Sequence, residues 1–268
     1  MNAATAQARR RTGLTSRRFR LLLRKELMGL EGLFPLLLGA TVLWELFLLS
    51  RAQIWRPEAV ALASLLPLVV IPFWAAWAGF QSVRAEWNGD HAQLLLTLPV
   101  PYWQIQGVKL LAIWLQAGFT ALVVGAAALL LGRGLIRDLQ LSGLWDVVVT
   151  SVPTAAALWW LFIVHLSIAA QFASAVWRMV PRFGGLVALW ATVMAAWLGD
   201  RLSRLLGHLF QWVPDLRLMD ASMSGAGVQT VVTRHVIFID SGPLLASLLL
   251  GLGLFWVGAI LLERAADV

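Results

Sequence analysis

The chain contains no cysteine and a single tyrosine, and only 13% of its 268 residues are charged. Without thiols, it has no disulfides, thiolate nucleophiles or cysteine-based metal sites, although this leaves the compartment open. The scarcity of charge says more. Soluble globular domains carry about a quarter charged residues, and 60% apolar residues with a mean hydropathy of +0.78 put this chain outside that class. Three chemical signatures are missing as well: the G-x-x-x-x-G-K-[ST] loop that cradles nucleotide phosphates, the H-E-x-x-H zinc pattern and the G-x-S-x-G nucleophile elbow.

What is present is a series of long apolar segments separated by cations. Runs at 33–49, 59–82, 105–131, 147–171, 183–198 and 241–262 have the length and composition of membrane helices, the first spanning about 26 Å. The expected fold is all-α, a polytopic membrane protein with six transmembrane helices. The formal net charge is +7, yet the arginines sit at span edges and not in one stripe with interleaved aromatics. That pattern fits membrane flanks and lipid headgroups and argues against nucleic acid. Six crossings put both ends on one side. Thirteen of the 21 Lys and Arg residues then fall on the N-terminal side and eight on the other, so the positive-inside rule makes both termini cytoplasmic and the location the inner (plasma) membrane. Most tryptophans, among them Trp44, Trp55, Trp145, Trp159, Trp160, Trp197 and Trp256, fall near span ends and read as belt and packing residues.

Residues 1–15 read as a basic cytoplasmic tail, 16–31 as an amphipathic interfacial helix, and 32–268 as the transmembrane domain, with a cytoplasmic loop at 84–104 and an external segment at 200–240. In the interfacial helix Phe19, Leu22, Leu23, Leu27 and Leu30 share one face, while Arg17, Arg20 and Arg24 line another that suits an anionic leaflet. Glu26 falls within the apolar face. It needs a partner there, such as an arginine of the cytoplasmic loop, or a path to water. Residues 16–21 approach a twin-arginine export signal, but arginine stands where phenylalanine is expected and no small-residue cleavage site follows.

Several polar and aromatic residues lie within the spans. Glu45, in the first, either serves function or reaches headgroup water or Arg51. Pro67 and Pro72 should bend the second, whose Trp74, Trp77 and Phe80 either line a lipid-like substrate path with Glu45 or pack. His165, in the fourth, fits an interhelical hydrogen bond better than a proton relay. In the external segment Leu202, Leu205, Leu206, Leu209 and Phe210 suggest an amphipathic stretch broken by Pro214, and 222–227 a flexible one.

One interruption is longer than a turn requires. Between the second and third spans, Glu86, Asn88 and Gly89 give polar and turn character, Asp90 suits an N-cap, and 92–98 offers about two helical turns before Pro99 and Pro101. Leu94, Leu95, Leu96 and Leu98 are more than a solvated helix needs, so one face lies on another protein or on the bilayer.

The order of an acidic residue, a Gly-Asp turn, Leu-Leu, Thr-Leu-Pro and Gly-x-Lys resembles the permease subunits of ABC exporters of the ABC-2 type. The match is carried by Glu86, Gly89, Leu94, Leu95, Thr97, Pro99, Gly107 and Lys109, whereas Pro101, Tyr102 and Trp103 depart from it. The resemblance implies that this loop is a coupling helix seated in an ATPase groove, with Glu86, Gly89, Asp90, Leu94, Leu95, Thr97 and Leu98 as its contact residues. It further implies that 16–31 is a connecting helix and that 200–240 dips back into the membrane as re-entrant helices. Two copies of an ATP-binding-cassette ATPase would hold ATP and Mg, and a second permease subunit would complete a homodimer or heterodimer. This chain would bind no cofactor and would itself be no enzyme.

Two other classes compete. A membrane-embedded enzyme would draw on Asp200, His208, Asp215, Asp220 and His235, whose spacing matches no catalytic pattern and reads more simply as a solvated outer face. A proton-coupled carrier would draw on Glu45 and His165, without the repeated halves such carriers show.

Overall fold

Proline decides the shape of the second apolar segment. In the computed structural model, which describes residues 19–28, 33–87, 101–141, 145–180, 183–224 and 231–266, that segment is one candidate crossing, Pro57–Arg84, made of two helices with a turn between them. The first helix, α1, covers residues 19–28, and α2 covers Leu33–Arg51. Next, α3 (Pro57–Ser64) and α4 (Leu66–Trp87) meet at a turn on Leu65.

Each proline of α4 lacks the N–H that would reach back four residues, so Pro67 leaves the Ala63 carbonyl without that donor and Pro72 does the same to Leu68. Indoles from other helices fill both places. Trp44 Nε1 of α2 donates to Ala63 O at 2.9 Å, and Trp159 Nε1 donates to Leu68 O at 3.0 Å. Trp44 and Trp159 are therefore hydrogen-bonding caps as well as packing residues.

The remaining elements are α5 (Tyr102–Leu131), α6 (Arg133–Leu141), α7 (Trp145–Met179), α8 (Gly184–Gly207), a 3-10 turn at His208–Phe210, β1 (Leu216–Ser224), β2 (Val231–Ile239) and α9 (Ser241–Ala266). At 35 residues α7 is about 52 Å long, well beyond a bilayer core. It is the central post: α4, α8 and α9 all pack on it, α5 packs on α4 and α9, and α2 lies outermost against α3 and α5. Leu37, Ile71, Trp74, Ile113, Ala117 and Ile163 form the main core cluster where α2, α4, α5 and α7 converge.

Small residues let α4 and α7 approach closely. A Cβ at Gly79 would lie 2.9 Å from the Ser167 carbonyl oxygen, and interhelical hydrogen bonds flank the contact. Trp114 Nε1 donates to Ser167 Oγ at 2.9 Å, and Gln171 Nε2 to Ser82 Oγ at 3.5 Å. The ring nitrogens of His165 lie 2.8 Å from Leu161 O and 2.9 Å from Ser247 O, so this side chain bridges α7 to α9.

Outward faces are apolar. Leu36, Leu43, Phe73, Leu122, Leu186 and Leu189 are each at least 66% exposed, an arrangement suited to acyl chains and unsuited to water. Five helical segments, Leu33–Arg51, Pro57–Arg84, Tyr102–Leu131, Trp145–Met179 and Ser241–Arg264, are long and apolar enough to cross a membrane. The chain is a multi-pass, mostly helical membrane protein. The sixth expected crossing differs: α8 packs alongside α7 and α9, but its apolar stretch ends at Asp200 and Arg201, and it falls short of the other five.

The segment 200–240 also departs from expectation. Its leucine-bearing part simply extends α8 and the 3-10 turn, and the rest is an antiparallel hairpin pairing Leu216 with Ile239 through Ser224 with Val231. The fold is thus not purely α, and strands stand where re-entrant helices were expected. The physical cause is a β-branched and aromatic run at 231–239 facing a second nine-residue strand. Ser151 of α7 ties the hairpin down, donating to Met219 O at 2.7 Å and accepting from Met219 N at 3.0 Å.

Candidate functional site

The ends of α4 and α5 frame the stretch singled out in the sequence. Glu86 belongs to the last turn of α4, and α5 opens at Tyr102 behind Pro101, an extended residue with φ of −65° and ψ of 144°. Gly89, Asp90, Leu94, Leu95, Thr97 and Leu98 lie outside the described residues, as does Arg17.

The bundle closes tightly just inside these ends. Val83, Ala175 and Leu262 form a second buried cluster, joined by Tyr102 and Leu261, so α4, α5, α7 and α9 meet there. One turn above the loop, the Arg84 guanidinium sits 5.3 Å from the Trp177 ring, and Phe80 packs on the same ring at 5.4 Å between centroids.

An ion pair links α1 to this end. Lys109 Nζ lies 3.1 Å from Glu26 Oε2, with the lysine 4% and the glutamate 14% exposed. The α1 wheel explains the geometry: Leu22, Leu23, Glu26 and Leu27 turn inward, while Arg20, Arg24 and Lys25 stay exposed. Glu26 thus finds a cation, but it is the lysine of the Gly-x-Lys sequence in α5 and not a loop arginine.

Removing one member of so dry a pair withdraws a buried charge–charge contact from the other. Glu26→Gln and Lys109→Met are each expected to destabilise the protein by about 3 kcal/mol, read as a lower unfolding midpoint in detergent. The exchanged pair Glu26→Lys with Lys109→Glu should recover part of the loss. If it proves no better than either single change, the contact does not join α1 to α5.

The residues expected to line a path are not gathered around one cavity. Glu45 is 8% exposed on the face of α2 that carries Leu37, Thr41 and Leu48, and neither carboxylate oxygen has a hydrogen-bond partner. Arg51, the alternative partner in the sequence reading, lies over the Phe47 ring at 5.6 Å. Trp74 is buried in the main core with its Nε1 unpaired, Trp77 is 53% exposed, and Phe80 belongs to the Trp177 contact. No family model, curated protein or solved structure matches the chain. Function therefore has to be read from geometry.

The carboxylates and histidines of 200–240 are dispersed among the described residues. Asp200 pairs with Arg204 on α8, His208 Nδ1 lies 2.7 Å from Gln211 Nε2, and Asp220 stands opposite His235 in the hairpin register. Asp215 is exposed in the turn before β1. Among the described residues, no three His, Asp or Glu side chains come together in a way that could hold a metal ion.

Two signals could have been read earlier. Prolines at 67 and 72 each orphan a carbonyl, so two donors were required from elsewhere, although nothing local names Trp44 and Trp159. Glu45 recurs four residues after Thr41 and eight after Leu37, which places it on the inward stripe.

Proposed function

We propose that this chain is the membrane-spanning permease subunit of an ATP-binding-cassette exporter of the ABC-2 type. It crosses the inner membrane six times, with α8 as the fifth crossing and both termini cytoplasmic. Two copies of a separate ATPase, carrying ATP and Mg, seat their grooves on residues 86–98, and a second permease copy or relative completes the transporter. The excess of cations on that side, thirteen against eight, comes mainly from the N-terminal cluster of Arg9, Arg10, Arg11, Arg17, Arg18, Arg20, Arg24 and Lys25.

The observation that carries the reading is the placement of this acidic, then leucine-rich stretch. It leaves from α4 and re-enters at α5, at the bundle end where α1 is clamped by Glu26 and Lys109 and where four helices are welded by a buried cluster. Force applied to such a loop reaches α4, α5 and α1 together. ATP closure moves the spans only if the ATPase holds the loop differently in its open and closed states.

Because the chain has no cysteine, a single Leu95→Cys change gives one cross-linking position in the full protein. Membranes treated with a thiol-directed photocross-linker should yield one adduct with a separate ATP-hydrolysing chain, and its yield should change on ATP binding. Adducts with lipid alone would overturn the assignment and leave 92–98 as an interfacial helix.

A further inference from the structure

The hairpin has one covered edge and one bare one. Ser151 Oγ donates to Met219 O and accepts from Met219 N, and Thr154 Oγ1 lies 3.1 Å from Arg217 O, so the backbone groups of residues 217 and 219 point away from β2 and towards α7. In an antiparallel ladder the residues directly opposite point away as well. Met219 faces Val236 and Arg217 faces Phe238. Val236 and Phe238 therefore aim their N–H and C=O groups off the far side of β2, where no described residue takes them.

The side chains along this edge are bare on both faces. Val236 and Phe238 point to one face of the hairpin and Ile237 to the other, and they are 43%, 60% and 47% exposed. Edge strands are ordinarily blunted by a proline, a bulge or a covering element. β2 has no proline and runs in unbroken register with β1 for its whole length.

Lipid, a second copy of the chain and a strand from another protein are the three kinds of occupant for such an edge. Lipid covers apolar side chains but leaves N–H and C=O groups unpaired, and β2 ends before the last candidate crossing opens at Ser241. A second copy in the same membrane fails on symmetry. Residues 217 and 219 of β1 meet 154 and 151 of α7 in turn, so the hairpin runs along that spanning helix. Pairing two β2 edges antiparallel needs a twofold axis normal to the sheet, hence across α7, and such an axis turns one copy over in the bilayer. An extended segment of another polypeptide answers both the backbone groups and the side chains.

We propose that β2 receives an extended strand from a separate protein, which bonds through its backbone to Val236 and Phe238 and lays strand-forming side chains beside them and beside Ile237. This contact goes beyond the exporter reading, and only its place on the outer side rests on the orientation given there.

The test uses the full chain in lipid nanodiscs with a fluorescent (Thr-Val)4 peptide as the strand probe, beside the same peptide N-methylated at alternate residues. In the chain alone, amide exchange should be fast at Val236 and Phe238 and slow at Ile237, which pairs with Leu218. The peptide should bind saturably and slow both fast amides. Val236→Pro removes an outward donor and spares the β1 ladder, so it should weaken binding by about tenfold. Methylation applies the same block from the peptide's side, with the parental chain unchanged, and should weaken binding at least as much. In native membranes, p-benzoylphenylalanine in place of Phe238 should give an adduct with another polypeptide that is lost on adding Val236→Pro. Adducts confined to lipid or to a second copy of the chain would overturn the proposal, as would slow exchange at Val236 in the chain alone, absence of peptide binding, or a methylated peptide that binds as well as the parent. No ATPase enters these measurements, so a lost strand leaves the exporter reading standing and an absent ATPase leaves the edge.

Discussion

Replacing Gly79 with leucine is expected to prevent assembly of the bundle, while Gly79→Ala lowers its stability without unfolding it. The added Cβ meets the Ser167 carbonyl oxygen at 2.9 Å and the Ala170 Cβ at 3.5 Å. The nearer atom is backbone in the middle of α7, so no rotamer change relieves the contact. The neighbours that fix the separation are also committed, with Trp114 bonded to Ser167 and Gln171 to Ser82. Overpacking a filled core by a methyl group costs about 1–3 kcal/mol, the range expected for alanine. Leucine adds three further carbons to the same gap and exceeds it. Size-exclusion profiles and unfolding midpoints in detergent check both variants, and a leucine variant that remains monodisperse and as stable as the parent would mean that α4 and α7 do not meet in this way.

On the proposed exporter function, Leu95→Asp is expected to abolish ATP-driven transport and the stimulation of an ATPase partner's hydrolysis, with the chain still inserted at normal abundance. Residue 95 lies in the sequence between α4 and α5, whose own residues supply the two buried clusters together with α2, α7 and α9. Setting an unpaired carboxylate into an apolar groove costs several kcal/mol, which corresponds to about a hundredfold or greater loss of affinity. The comparison to make is membrane-fraction abundance against hydrolysis in reconstituted vesicles. A variant that transports at the parental rate would leave the loop without a motor to hold.

The long helices were legible because length and apolar composition suffice to call them, and α2 begins where the apolar run begins. The interruption at Leu65 was less so. A proline pair signals a bend but not where it falls: both exposed carbonyls are capped by indoles, yet the helix turns only at Leu65 and runs on through Pro72. The hairpin was missed although its signal was present: Val231, Val232, Thr233, Val236, Ile237, Phe238 and Ile239 favour a pleated strand, and the leucines upstream drew the segment towards a helical reading.

At the candidate site the wheel of α1 required a partner for Glu26, yet the partner is 83 residues away and no local rule names it. The burial of Glu45 was not legible for a related reason. Nearness to the end of an apolar run suggests access to water, but burial at that position is set by α5 packing against the stripe of Leu37, Thr41, Glu45 and Leu48.

The indole caps have a mechanical consequence. The two acceptors, Ala63 O and Leu68 O, are five residues apart on opposite sides of the Leu65 turn, and their donors sit on separate helices, α2 and α7. Trp44 therefore pins the end of α3 to the outermost helix, while Trp159 pins the start of α4 to the central post. The elbow between α3 and α4 is held on both arms, so a change of angle at Leu65 loads one indole or the other.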